Sequence, residues 1–184
     1  MACFCIRPVL SYFKMSEVSN EYLRYSMNIR SEIERVIKEH GIDRSRCFEC
    51  SKITYSGIIK KVEQRFVLYG GNLHWSNLEN RFNPEWICKN KNISEDRMWV
   101  SKLPQIIPET EHPVYVLFED SKNFKPKYWV YEMYIPELIC MIGEVFTLGD
   151  FYIVSKKFDW LISECHEDIV SFVGNTLDLS CFEP

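Results

Sequence analysis

Residues 151–165 read FYIVSKKFDWLISEC. Two runs of β-branched and aromatic residues, Phe151–Val154 and Trp160–Ile162, flank the polar Ser155-Lys156-Lys157. Side chains of that kind suit a pleated, half-buried surface, and a short polar break between two such runs predicts a β-hairpin. Upstream, Val114–Phe118 and Tyr128–Met133 read as a second strand pair joined by the polar segment Glu119–Lys127. Downstream, Ile169–Val173 closes on Gly174-Asn175 as a fifth strand. Between the two pairs, Pro136 precedes Leu138, Ile139, Met141, Ile142 and Val145. Proline fits a first helical turn, and an almost all-round apolar helix must be buried, so this one is expected to lie on the sheet.

The remainder of the chain reads as helical. Tyr22, Tyr25, Ile29, Ile33, Val36, Ile37 and His40 recur near a 3.6-residue period, with Gly41 as the stop. A second helix is expected from Gly57 to Phe66 behind a Ser56 cap, and a third around Trp75, Leu78 and Phe82. Tyr69-Gly70-Gly71-Asn72 marks a turn and Glu85–Asn92 a polar loop. Ser94 is expected to cap a short helical turn running to Lys102, after which Pro104, Pro108 and Pro113 impose extended chain. Helices followed by strands define an α+β fold, here N-terminal helices packed on a mostly antiparallel sheet of about five strands with one inserted helix. Residues 1–16 are expected to form a disordered N-terminal extension, of which 1–14 would lie upstream of an alternative start at Met15, before a single α+β domain over 17–184. That domain divides into a helical part, 17–103, and a sheet-forming part, 113–174.

Composition narrows the class. A hydrophobic fraction of 46% with twelve Phe, ten Tyr and five Trp exceeds what a disordered chain carries. No stretch reaches the roughly 20 apolar residues of a membrane span. The apolar start, MACFCIRPVLSYF, lacks a basic leader region, so a cytoplasmic protein is expected. In such a chain all eight cysteines are expected to be reduced. The net charge of −4 is unevenly spread: residues 1–106 carry 17 basic and 12 acidic side chains, and residues 107–184 carry 5 and 14. An acidic sheet region repels nucleic acid and attracts a basic partner.

Motifs for chemistry are sparse. Cys47-Phe48-Glu49-Cys50 has metal-ligand spacing without a second pair, so no metal is expected there. Arg44 and Arg46 keep a redox role for the pair open. In Cys165-His166-Glu167-Asp168, neighbouring residues of a strand point to opposite faces, which separates Cys165 from His166. His166 and Asp168 share a face and could serve as a base and its orienter. Tyr69-Gly70-Gly71-Asn72 lacks the pattern and the basic residue of a phosphate loop. With Trp129 and Tyr131 inward, Tyr128 and Tyr134 would flank Glu132 on an outer face. Exposed tyrosine beside carboxylates is the composition of a protein-binding hot spot for Arg- and Lys-rich partners.

The segment Asp150–Gly174 resembles the closing hairpin of small bacterial proteins near the SMI1/KNR4-like (SUKH-type) group, through Tyr152, Phe158, Trp160, Leu161 and His166. Many of that group are immunity proteins, and the resemblance implies a non-catalytic module that neutralises a bacterial toxin domain. The expected contact residues are Tyr128, Glu132, Tyr134, Asp150, Asp159, Glu164 and Asp168, facing a protein partner such as a basic toxin domain, with no cofactor. Two other readings compete. One is a small enzyme or metalloprotein centred on His166, Asp168 and the Cys47/Cys50 pair; the other is a homo-oligomeric structural module.

Overall fold

The computed structural model describes residues 28–68, 71–79, 81–82, 97–120 and 126–182. The expected extension, the turn residues Tyr69 and Gly70, the 85–92 loop and the Ser94 cap lie outside these residues.

Among the described residues, six strands form one antiparallel sheet: β1 (Cys47–Glu49), β2 (Val114–Glu119), β3 (Tyr128–Met133), β4 (Phe151–Ser155), β5 (Leu161–Glu164) and β6 (Val170–Val173). Their order is β1-β3-β2-β4-β5-β6. Five of the six match the expected strands. The sixth, β1, falls on the Cys-Phe-Glu-Cys motif. It is three residues long and exists through its pairing with β3, where Cys47 sits opposite Met133 and Glu49 opposite Tyr131. Nothing in so short a run announces a strand.

Among the described residues four α-helices accompany the sheet: α1 (Ile29–Glu39), α2 (Lys52–Phe66), α3 (Leu103–Ile106) and α4 (Ile135–Glu144). Asn28 caps α1 by accepting a hydrogen bond from Ser31 N, and Ile29, Ile33, Val36 and Ile37 form its buried stripe. Helix α2 begins five residues before its expected start, with Ser51 rather than Ser56 as its cap. Tyr55 supplies the reason: it extends the stripe of Ile58, Val62 and Phe66 by one turn, and its hydroxyl donates to Glu49. Pro104 stands in the first turn of α3 rather than in extended chain, which its missing N–H permits. The third expected helix is a single 3-10 turn, Trp75–Asn77. Beyond it Leu78 bridges to Val67 and is buried, whereas Phe82 bridges to Phe172 through its backbone and leaves its ring half exposed.

Register assigns every strand side chain to a face. On the first face lie Cys47, Tyr131, Val116, Phe118, Phe151, Ile162 and Phe172. It is covered by α1, α4 and the 3-10 turn Met98–Lys102: Tyr131 donates to Glu34 of α1, and Trp99 packs on Phe151 and Phe172. On the second face lie Phe48, Tyr115, Leu117, Tyr128, Val130, Tyr152 and Leu161. It is covered by α2 and the 71–79 segment, whose Leu73 carbonyl accepts from Tyr128. The sheet is thus sandwiched, and the buried residues form one cluster from Ile29 to Phe182.

Gly174 fixes where β6 leaves the sheet. Its φ is +113°, and a Cβ there would stand 2.6 Å from the Asp159 carbonyl oxygen and 2.8 Å from Trp160 Cα. Gly174→Ala should therefore lower unfolding free energy by about 2 kcal/mol or more in urea titration. Gly57→Ala, inside α2 with no atom within 4 Å of the added methyl, should raise it by about 1 kcal/mol.

Candidate functional site

The sheet has two ends, separated along β2 by roughly 17 Å at about 3.4 Å per residue. Tyr128, Asp150, Glu164 and Asp168 lie at the Glu119 end; Glu132, Tyr134 and Asp159 lie at the Val114 end. The seven expected contact residues do not form one platform.

Their individual environments explain why. Tyr128 is 3% exposed and donates to the Leu73 carbonyl at 2.8 Å, so it is a core residue. The expectation of an outer face failed because α2 and the 71–79 segment cover the side opposite Trp129 and Tyr131. Tyr134 lies under the Arg46 guanidinium, 4.3 Å from its ring centroid. Glu132 is bound by Lys156 Nζ at 2.5 Å, and Asp159 is bound by the Ser155 hydroxyl. Asp168 occupies a turn with φ +58° and hydrogen-bonds through its N–H to Cys165 O.

Glu164 is 5% exposed and anchors structure instead of steering a partner. Its carboxylate accepts Arg97 Nε at 2.6 Å and Trp99 Nε1 at 2.5 Å. Burial pushes its pKa up, against the opposing pull of Arg97 and Trp99. Removing one partner of such a pair strands the other. Glu164→Ala is therefore expected to cost about 3 kcal/mol in chemical denaturation, and Glu164→Gln less, because the amide oxygen can still accept one bond.

His166 is oriented by Asp150, not by Asp168. Its Nδ1 lies 2.7 Å from Asp150 Oδ1, which also accepts the His166 backbone N–H at 2.9 Å. The carboxylate is buried, while the imidazole is 64% exposed. This bond and the nearby negative charge raise the His166 pKa above its ordinary 6.5. Nearby, burial raises the Glu119 pKa, only partly offset by Lys127. The stabilisation from His166 is complete below pH 6.5 and is lost as pH rises through the higher folded-state value. An NMR titration should place the His166 midpoint above 6.5, and Asp150→Asn should bring it down.

The thiols lie far from this dyad. Cys47 is in edge strand β1 and His166 follows β5, four strand spacings away, roughly 19 Å. Burial pushes the Cys47 thiol up to about 12 and Cys50 up to about 11, so neither carries an activated thiolate at neutral pH. No single centre contains both halves of the enzyme reading. Among the described residues, no group of three or more His, Cys, Asp and Glu side chains is placed to hold a metal ion. No helix among them is long and apolar enough to cross a membrane.

Phe146 and Phe82 are exposed elsewhere on the molecule, but exposed aromatic surface borders a concavity at the Val114 end. A groove of about 450 Å³ runs between α2 and the sheet, lined by Phe48, Cys50, Ile58, Tyr115 and Phe158, with Lys61 and Glu132 at its rim. Tyr115 and Phe158 pack ring to ring at 5.8 Å, and Lys156 and Lys61 lie over their respective faces. Phe48 is 38% exposed, and Ile53 on the first turn of α2 is 90% exposed. Of the expected contact residues only Glu132 belongs to this groove. Phe158 offered one clue: it is a large aromatic inside an otherwise polar hairpin turn, held at φ +58°. Phe48 and Ile53 carry no such signal, because each is a lone apolar residue among polar neighbours.

An antiparallel sheet covered on both faces by helices and extended chain, with an aromatic groove at one end, is the class of molecule described. Residues 25–181 match the profile of a family of unknown function, DUF6756, and the chain belongs to that family. No curated protein and no solved structure matches the chain.

Proposed function

We propose that the chain is a non-catalytic protein-binding module, and that its partner docks in the groove between α2 and the β1 edge. The observation that carries this is the exposure of Phe48 in a groove walled by Tyr115 and Phe158, with Ile53 exposed on the first turn of the helix that forms the facing wall. Apolar side chains scattered singly on a surface need no explanation, but large ones gathered at an aromatic groove fit the centre of an interface. The surrounding charges are of both signs: Lys61, Lys156 and Glu132. Such a rim gives register and specificity more than raw affinity.

The resemblance of Asp150–Gly174 to bacterial proteins near the SUKH-type group, many of whose members are immunity proteins, supports a toxin domain as the partner. The dispersal of the carboxylates removes the argument that this partner must be basic. The β1 edge is short, which limits strand addition and favours side-chain docking.

Ile53→Asp is the direct test. At 90% exposure this change should leave unfolding free energy within about 0.5 kcal/mol of the parent. It should weaken capture of the partner, taken from coexpression with a toxin encoded beside this gene, by tenfold or more. Undiminished capture by the variant would place the interface elsewhere, and failure of the parent chain to protect against that toxin would remove the immunity role.

A further inference from the structure

A second concavity at the Val114 end, of about 400 Å³, lies on the other side of the β4–β5 turn from the aromatic groove. Its walls are largely apolar, formed by Ile107, Pro108, Pro113, Val114 and Trp160. Its rim is charged. Lys157, from the turn, and Glu109, from the segment before β2, stand on opposite sides, and Lys157 Nζ lies 2.7 and 2.8 Å from the two Glu109 carboxylate oxygens. The other lining carboxylate, Asp159, is engaged by the Ser155 hydroxyl. His112, Ser155, Lys156 and Thr176 complete the lining, and an apolar floor of this size with polar groups around its mouth has the dimensions of a small-molecule site.

We propose that this cavity binds a small organic acid. The apolar body lies against Pro108, Val114 and Trp160, and its single carboxylate takes the place of Glu109 on Lys157. The Lys157–Glu109 pair shows that the ammonium at the mouth can hold a carboxylate with both oxygens in reach. Exchange is easy because Lys157 and Glu109 are 65% and 46% exposed, so the displaced carboxylate is released into water. The bonds to the ligand are non-covalent throughout. The apolar body supplies most of the affinity, and the carboxylate sets orientation and a modest preference.

Three probes of one chain length separate these contributions: octanoate, 1-octanol and octylammonium, titrated into the full chain and followed by amide NMR. Octanoate should shift residues 107–114, 155–160 and Thr176, and should bind about fivefold more tightly than 1-octanol, the upper range for an exposed ion pair. Octylammonium should bind most weakly. Glu109→Gln, which removes the internal competitor, should widen the preference for octanoate; Lys157→Gln should abolish it while 1-octanol binding is kept. Both side chains are exposed, and an unchanged amide spectrum away from the turn verifies the fold of each variant. Equal affinity for octanoate and 1-octanol in the parent chain, tightest binding of octylammonium, shifts confined to another surface, or no binding of any probe would each overturn the proposal. Ile53→Asp lies outside this cavity, so the two tests fail independently.

Discussion

The buried carboxylate of Glu164 ties together parts of the chain that share no local sequence. One oxygen binds Arg97 and the other the indole of Trp99, which stacks on Phe151 and stands edge-on to Phe172. Arg97 also reaches towards the carbonyls of Ile142 and Leu148, at the end of α4 and just beyond it. Strand β5, the 97–106 segment and the α4 exit are therefore registered by one charge. A charge that has lost its water must be paired and hydrogen-bonded, and this arrangement of the elements achieves that for Glu164. Arg97 itself has a left-handed backbone, at φ +45°, and immediately precedes the 3-10 turn that carries Trp99.

A sheet covered on both sides has little surface left with which to recognise anything. Residues such as Tyr128, Tyr131 and Tyr152, which could have formed an exposed aromatic face, are core. What remains available is the rim, and at the Val114 end the rim is shaped by a single turn. Phe158 on one side of that turn closes the aromatic groove, while Lys157 and Asp159 on the other side border the apolar cavity. The backbone of the turn is held by Phe158 N–H to Ser155 O and Ser155 N–H to Trp160 O, with Gly174 packed beneath Trp160. A rigid turn with concavities on both flanks presents side chains more reproducibly than a loose loop does.

Sequence periodicity located the framework because its signals are local. Alternation and β-branching marked the five longer strands within a residue or two, and Pro136 marked the start of the buried helix. Strand β1 escaped because three residues carry no period, and Pro104 misled because proline suits both a first helical turn and extended chain. The candidate contact residues fared worse. Asp150, Asp159 and Glu164 looked alike as acidic residues near strands, yet one orients a histidine, one closes a turn and one anchors the core.

By itself the sequence determined the α+β class, the five longer strand segments, the inserted helix and the hairpin at 151–164. These follow from side-chain shape and spacing along neighbouring residues. Tertiary structure alone decided which strand face was covered, which acid met which base and where apolar side chains stayed in water. Those outcomes depend on contacts between residues tens of positions apart, such as Arg97 with Glu164 or Lys157 with Glu109. A carboxylate's chemistry is set by the partner that replaces its water, and that partner is chosen only when the chain closes on itself.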